Sequence, residues 1–264
     1  MKSRNETIWI TGASSGIGRS LALEYAKRPV NLILSSRNLK KLDQLRGEIN
    51  DDDRVRILAL DLNQSDSFDS AADQAWKYFD GIDILVHNAG VSQRSRAAET
   101  PLEVDRRIFE TNYFGTVGLT KSILPRFRER RKGHFVVITS AVGKFGTPLR
   151  SSYSASKHAL HGFFDSLRAE LYDENIDVTL ILPGFVNTEL SINALTRDGS
   201  RQGTKDKATA NGLSPEYFSR KAVHAISKRK REVVIGGARE VLAVYLKRLL
   251  PGLHAIVIRK AAVT

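Results

Sequence analysis

The chain has 264 residues, 41% of them apolar, which suffices for the core of one large α/β domain, and no Pro/Ser/Gly-rich linker divides it. It contains no cysteine, which excludes disulfides, zinc–thiolate sites and thiol nucleophiles, and no metal site is expected. The formal charge of +12 points to an anionic ligand or surface: a phosphate-bearing cofactor or substrate, nucleic acid, or an acidic membrane.

The first apolar run, TIWIT at 7–11, follows six mostly polar residues. It is far too short for a signal-peptide core or a membrane span, so a cytoplasmic protein is expected. Further aliphatic runs come at 30–36 (VNLILSS), 55–61 (VRILALD), 82–88 (IDILVHN), 134–140 (HFVVITS), 176–183 (IDVTLILP) and 232–236 (EVVIG), separated by longer segments of helical periodicity. Continuously apolar strands alternating with helices predict a doubly wound, seven-stranded parallel sheet with helices on both faces. This is the Rossmann arrangement, expected here as a single domain over 1–264. Ligands bind such sheets beyond the carboxyl ends of the strands.

The first strand runs into TGASSGIG, where Gly12, Gly16 and Gly18, with Ser14, Ser15 and Ile17 between them, fit a tight turn and close backbone approach to a pyrophosphate. The second strand ends in Ser36 and Arg37 rather than in an acid. A guanidinium there suits a ribose 2′-phosphate by charge and by its planar donor fork, and so predicts NADP(H) over NAD(H) as cofactor. Arg19, beside the glycine loop, is a further candidate for that phosphate. Asp61 and Leu62 after the third strand can border an adenine, and the small residues Asn88, Ala89 and Gly90 after the fourth let a cofactor pass close to the backbone.

Two basic clusters, RFRERRK (126–132) and SKRKRE (227–232), fall where a helix should end and a strand begin, so their cations favour the helix C-terminus and stay solvated. The second has no interleaved aromatics and neither carries a recognition signature, so no nucleic-acid partner is expected. YSASKHA (153–159) sets Tyr153 and Lys157 on one helical face within reach of one ligand. The Pro183–Gly184 turn, followed by Val186 and Thr188, opens a polar connection over about 184–213 that is predicted to be a substrate lid.

Together, TGxxxGxG, the NAG turn, a serine after the fifth strand (Ser140) and YxxxK resemble the short-chain dehydrogenase/reductase family over essentially the whole chain. Four stretches, NAGVSQR (88–94), the run from Tyr153 to Leu171, LSINALTRDGSRQG (190–203) and VLAVYLKRLLPGL (241–253), are similar to its member 7B-like and 11β-hydroxysteroid dehydrogenase-like branch. That branch is associated with membranes and lipophilic substrates. The chain departs from the branch's eukaryotic members in starting without a membrane segment and in carrying His87 where many place asparagine.

The resemblance implies hydride transfer between a nicotinamide and a carbonyl or alcohol carbon, with Tyr153 passing the proton. A free tyrosine titrates near 10, so its phenolate needs a neighbouring cation. By the same resemblance Lys157 supplies that cation and binds the nicotinamide ribose, Ser140 bonds the substrate oxygen, and Asn112 of ETNYFG holds a water that links Lys157 to solvent. Backbone near Val186 and Thr188 is expected to reach the nicotinamide carboxamide.

A small, lipophilic carbonyl or alcohol substrate and a homodimer or homotetramer are expected. The C-terminal extension over about 238–264 is apolar, basic and broken by Pro251 and Gly252, so it is no clean membrane span. It is read as a cap on the substrate pocket, a homo-oligomer contact, or a peripheral membrane patch. The competing functions are 3-oxoacyl-carrier-protein reduction and, outside catalysis, a nucleotide-sensing or membrane-surface scaffold on the same fold.

Overall fold

Strands that are covered on both faces must be apolar at nearly every position, and seven segments meet that condition. They are β1 (Glu6–Thr11), β2 (Val30–Ser36), β3 (Val55–Ala59), β4 (Ile84–His87), β5 (Gly133–Ile138), β6 (Ile176–Pro183) and β7 (Glu232–Ile235) in a computed structural model that describes residues 5–259. The sheet order is β3-β2-β1-β4-β5-β6-β7 and every neighbouring pair is parallel.

Helices cover both faces. On one, α3 (Phe68–Tyr78), α5 (Gly115–Arg130) and α6 (Ser151–Glu170) bring Ala75, Phe127 and Phe164 onto Trp9, Ile33 and Phe135. On the other, α1 (Gly16–Ala26), α2 (Leu39–Ile49) and α8 (Pro215–Ser227) bring Leu21, Leu42 and Phe218 onto Ile8, Ile10 and Leu32. Successive strand residues thus feed opposite cores, as the period of two requires. The sheet is the doubly wound one expected.

Strand ends fall one or two residues inside some apolar runs. β3 stops at Ala59 and β5 at Ile138 because the polar residues after them turn the chain: Asp61 Oδ1 accepts from Asn63 N (3.1 Å) and Ser140 Oγ from Val142 N (3.3 Å).

The chain builds outward from β1 in one direction and from β4 in the other, so a crevice opens between their carboxyl ends. Thr11 and Asn88 fasten this crevice. Thr11 Oγ1 accepts from the backbone amides of Asn88 (3.1 Å) and Ala89 (3.2 Å), while Asn88 Nδ2 donates to the carbonyls of Thr11 (3.0 Å) and Gly12 (3.2 Å).

Between α3 and α5 lie α4 (Leu102–Phe109) and one π-helical turn (Glu110–Phe114) that carries Asn112. The connection 184–213 is held down by backbone hydrogen bonds: Leu195 N donates to Ser92 O and Arg94 N to Leu195 O, both 2.8 Å. It includes the short helix α7 (Lys207–Ala210). The C-terminal pair α9 (Ala238–Leu249) and α10 (Pro251–Ile258) packs on the loop after β5; residues 260–264 of the predicted extension lie outside the described residues. Among the described residues no helix is long and apolar enough to cross a membrane.

The basic clusters occupy the helix–strand junctions expected for them. In the first, Arg128 pairs with Glu174 (2.8 Å), Arg130 and Lys132 with Asp83 (3.3 and 3.0 Å), and Arg126 with Asp73.

Candidate active site

A cleft of about 430 Å³ lies over the carboxyl ends of the strands. All the candidate cofactor-binding and catalytic residues line it except Gly18, Arg19 and Asn112. Gly18 sits beneath the loop: a Cβ there would stand 2.3 Å from Gly12 O and 2.4 Å from Asn88 Nδ2, so glycine is what lets α1 approach the strand ends. Gly12 itself has φ +64° and lies against Ala89 backbone. Arg19 is turned away into an ion pair with Glu48 on α2.

The α1 N-terminus suits an anion. Ser15 at its N-cap makes no side-chain capping bond and the first turn holds no acid, so its amides are not satisfied from those sources. At the end of β2, Arg37 is largely exposed and lies 4.0 Å from Asp61. Lys41, in the first turn of α2, lines the same end of the cleft beside Ser36 and Asn38 and bonds Glu189 at 3.4 Å. The glycine cradle and the unacidified helix start fit the pyrophosphate of a dinucleotide, and two cations, Arg37 and Lys41, lie beyond them in the cleft. Asn88 lines the cleft too, though its amide is committed to the Thr11 and Gly12 carbonyls.

The other end of the cleft holds the titratable groups. Tyr153 and Lys157 sit on the buried stripe of α6 that continues through Leu160 and Phe164 into the core. Tyr153 shares a side-chain hydrogen bond with Ser140, which projects from the turn after β5. Burial pushes the Tyr153 hydroxyl above its ordinary range; the Ser140 hydrogen bond and the Arg150 and Arg94 guanidiniums act against that. Lys157 Nζ donates to Ile138 O (3.1 Å) and lies 5.9 Å from the Tyr153 ring centre. Burial lowers its pKa to about 8.

Asn112 stands behind the cleft wall. Its Oδ1 accepts from Val91 N (2.8 Å) and its Nδ2 donates to Val91 O (2.9 Å) and Ser156 Oγ (3.0 Å). The amide therefore clamps the loop after β4 to α6, leaving its side chain committed to protein partners. The π-helical turn is what seats it there. His87 is fully buried, bonded to Thr120 Oγ1 through Nε2 (2.9 Å) and stacked on Phe135, and burial brings its pKa to about 3, so it is neutral.

Three features had no sequence signal. Gln93 caps α6 from a distance: its Oε1 accepts from the amides of Ser152 (2.8 Å) and Tyr153 (3.3 Å), while Arg150 at the N-cap makes no side-chain capping bond. Asp206, 1% exposed, draws in Arg94, whose Nε donates to its Oδ2 at 2.9 Å, and Arg150 at 3.8 Å. Lys41 is the third. Arg94 and Asp206 are 112 residues apart, so no local pattern could announce the pair.

The family model for "short chain dehydrogenase" matches residues 6–199, and the chain belongs to that short-chain dehydrogenase/reductase family of oxidoreductases, which act on CH–OH groups. Within it the chain falls on the member 7-like branch: it is 42% identical over 255 residues to mouse "Dehydrogenase/reductase SDR family member 7B", covering 95% of this chain and 79% of that one. Two solved structures share the fold. A short-chain dehydrogenase/reductase from Burkholderia phymatum in complex with NAD superposes with a TM-score of 0.84 at 21% identity, covering 96% of both chains. One from Burkholderia cenocepacia in complex with NADP gives 0.79 at 23%, covering 98% of this chain and 99% of that one.

Proposed function

We propose that this protein is an NADP(H)-dependent oxidoreductase in which Tyr153 exchanges a proton with the oxygen of a lipophilic carbonyl or alcohol substrate. The observation that carries this reading is the seating of Ser140, Tyr153 and Lys157 on one wall of a cleft that begins at the glycine loop. In the direction of reduction, the reduced nicotinamide supplies the hydride when bound. Ser140 and Tyr153 then hold the carbonyl oxygen, and Tyr153 gives it a proton as negative charge develops there. Lys157 holds the cofactor ribose and keeps positive charge beside the phenol as it ionises. Asn112 fixes the loop after β4, and the Pro183, Gly184, Val186 and Thr188 segment backs the nicotinamide end. Segment 184–213 acts as the lid. Phe185, Leu190 and Leu195 line the cleft and support a lipophilic substrate.

The reaction is tested by following NADPH absorbance with a panel of lipophilic aldehydes and ketones, where turnover with at least one is expected. Absence of turnover across the panel with both NADPH and NADH would remove the reading. Cofactor preference is tested separately with Arg37→Asp. Losing one charge-assisted phosphate contact and gaining a like charge should weaken NADPH binding by about 10–100-fold, with much less effect on NADH. Equal losses for the two would sink the 2′-phosphate assignment.

A further inference from the structure

We infer that Lys41 and Glu189 form a strap across the nucleotide end of the cleft, and that its opening sets the rate at which a bound dinucleotide leaves. The inference rests on the reading of the cleft as a dinucleotide site and concerns cofactor exchange, which needs no substrate. Lys41 stands in the first turn of α2 and Glu189 in segment 184–213, and their side chains meet at 3.4 Å. Thr188, next to Glu189, lies on the glycine loop: a Cβ at Gly16 would stand 3.2 Å from Thr188 Cβ. The stretch that the strap holds down therefore borders the seat of a pyrophosphate. A second cavity of about 360 Å³ adjoins the cleft here. The two share Ser14, Ser15, Gly16, Lys41, Thr188 and Glu189 in their lining, so the strap stands where they meet and parting it joins them into one wider opening.

Charge explains why the pair forms. α2 begins with Lys40 and Lys41 and has no acid in its first turn, which sets cations against the positive end of the helix dipole. Glu189 supplies the negative charge that this turn lacks. Burial explains why segment 184–213 opens at this end and not the other. Farther along, Leu195 is buried on Val104 and Ile108 and zipped by backbone to Ser92 and Arg94, and Asp206, 1% exposed, holds Arg94. Breaking a buried pair of that kind strands charge away from water and is strongly disfavoured. Lys41 and Glu189 are 46% and 50% exposed, so parting them exchanges one ionic contact for hydration at small cost. The cofactor end is thus free to open while the end beside Tyr153 stays closed.

The test follows the release of NADH from the full chain by stopped-flow nicotinamide fluorescence, with excess NAD+ as trap. NADH has no 2′-phosphate, so the charge of Lys41 is read through Glu189. Glu189→Gln is expected to speed release about two- to fivefold, the range of one exposed ion pair, and to remove the acceleration that salt gives the wild type by screening that pair. Lys41→Glu should speed it at least as much. Lys41→Glu/Glu189→Lys restores the pair at unchanged net charge and should return the rate to within about twofold of wild type, a rescue that a merely structural role for either residue would not give. In the ligand-free protein, Glu189→Gln should hasten amide exchange at Leu190, whose N–H is held by Thr188 Oγ1 (3.3 Å), and leave Leu195 and Arg94 unchanged. Release unaltered by Glu189→Gln, a swapped pair as fast as Lys41→Glu, or equal exchange changes at Leu190 and Leu195 each overturn the strap alone. A wild-type chain that binds neither NADH nor NADPH overturns the dinucleotide reading, and the strap's role with it.

Discussion

Tyr153→Phe is expected to lower kcat for carbonyl reduction by about 10²–10⁴-fold, the range a positioned general acid contributes, while NADPH affinity changes little. The hydroxyl is the only group removed, and the ring keeps its place against Ala141, Val142 and Phe145. Ser140 Oγ retains the Val142 amide, so the stability lost should stay near the ~1 kcal/mol of one hydrogen bond. In the wild type, reduction requires Tyr153 protonated and Lys157 charged. Burial holds Tyr153 above its ordinary value and brings Lys157 down to about 8, so activity should fall as pH rises through the region near 8, with Lys157 the first of the two to lose its proton. A stopped-flow measurement of the hydride-transfer step against pH checks both parts. Activity undiminished in Tyr153→Phe would remove the proposed proton donor.

Asp206→Asn should be the most damaging change outside the nucleotide cradle. The carboxylate is the buried counter-charge to Arg94 and Arg150, whose side chains are themselves nearly inaccessible. Removing one partner of a buried ion pair leaves uncompensated charge and costs about 3–5 kcal/mol, enough to lower Tm by several degrees. The effect on chemistry has a sign. Arg150 and Arg94 favour the Tyr153 phenolate, and Asp206 offsets them. Without the carboxylate the two guanidiniums act on Tyr153 unopposed, so its hydroxyl gives up its proton more easily and the tyrosine step of the alkaline limb should move to lower pH. Arg150→Met, which removes a cation, should move it to higher pH. A purely structural role predicts lost activity in both variants with the limb unmoved, and that result would separate Asp206 and the two arginines from the tyrosine's electrostatics.

The strands and their order of alternation were legible because each is buried on both faces, a condition that leaves an unbroken apolar run whatever the tertiary detail. Strand ends were less so: Leu60 stays buried after β3 has ended, so hydrophobicity overshoots hydrogen bonding there. The gathering of Ser140, Tyr153, Lys157 and the glycine loop in one cleft follows from their places beyond the carboxyl ends of the parallel strands β1 and β5. Asn112 was found by motif, but not its clamp on Val91, which depends on a π-helical turn that no periodicity of 3.6 foretells. Gln93, Arg94 and Asp206 act across 59 to 112 residues of chain, and a single polar residue in a loop carries no mark of a distant partner.

Gln93 has one more consequence. Its backbone stretch is zipped to Leu195 of the 184–213 segment, and its side chain satisfies the first amides of α6. The helix start that carries the tyrosine therefore has no cap of its own in sequence and borrows one from the loop on which the 184–213 segment rests. Fraying of α6 and release of that loop are one cooperative event, so Ser152 and Tyr153 should exchange their amide hydrogens in step with Leu195 and Arg94, as a single foldon that spans the site.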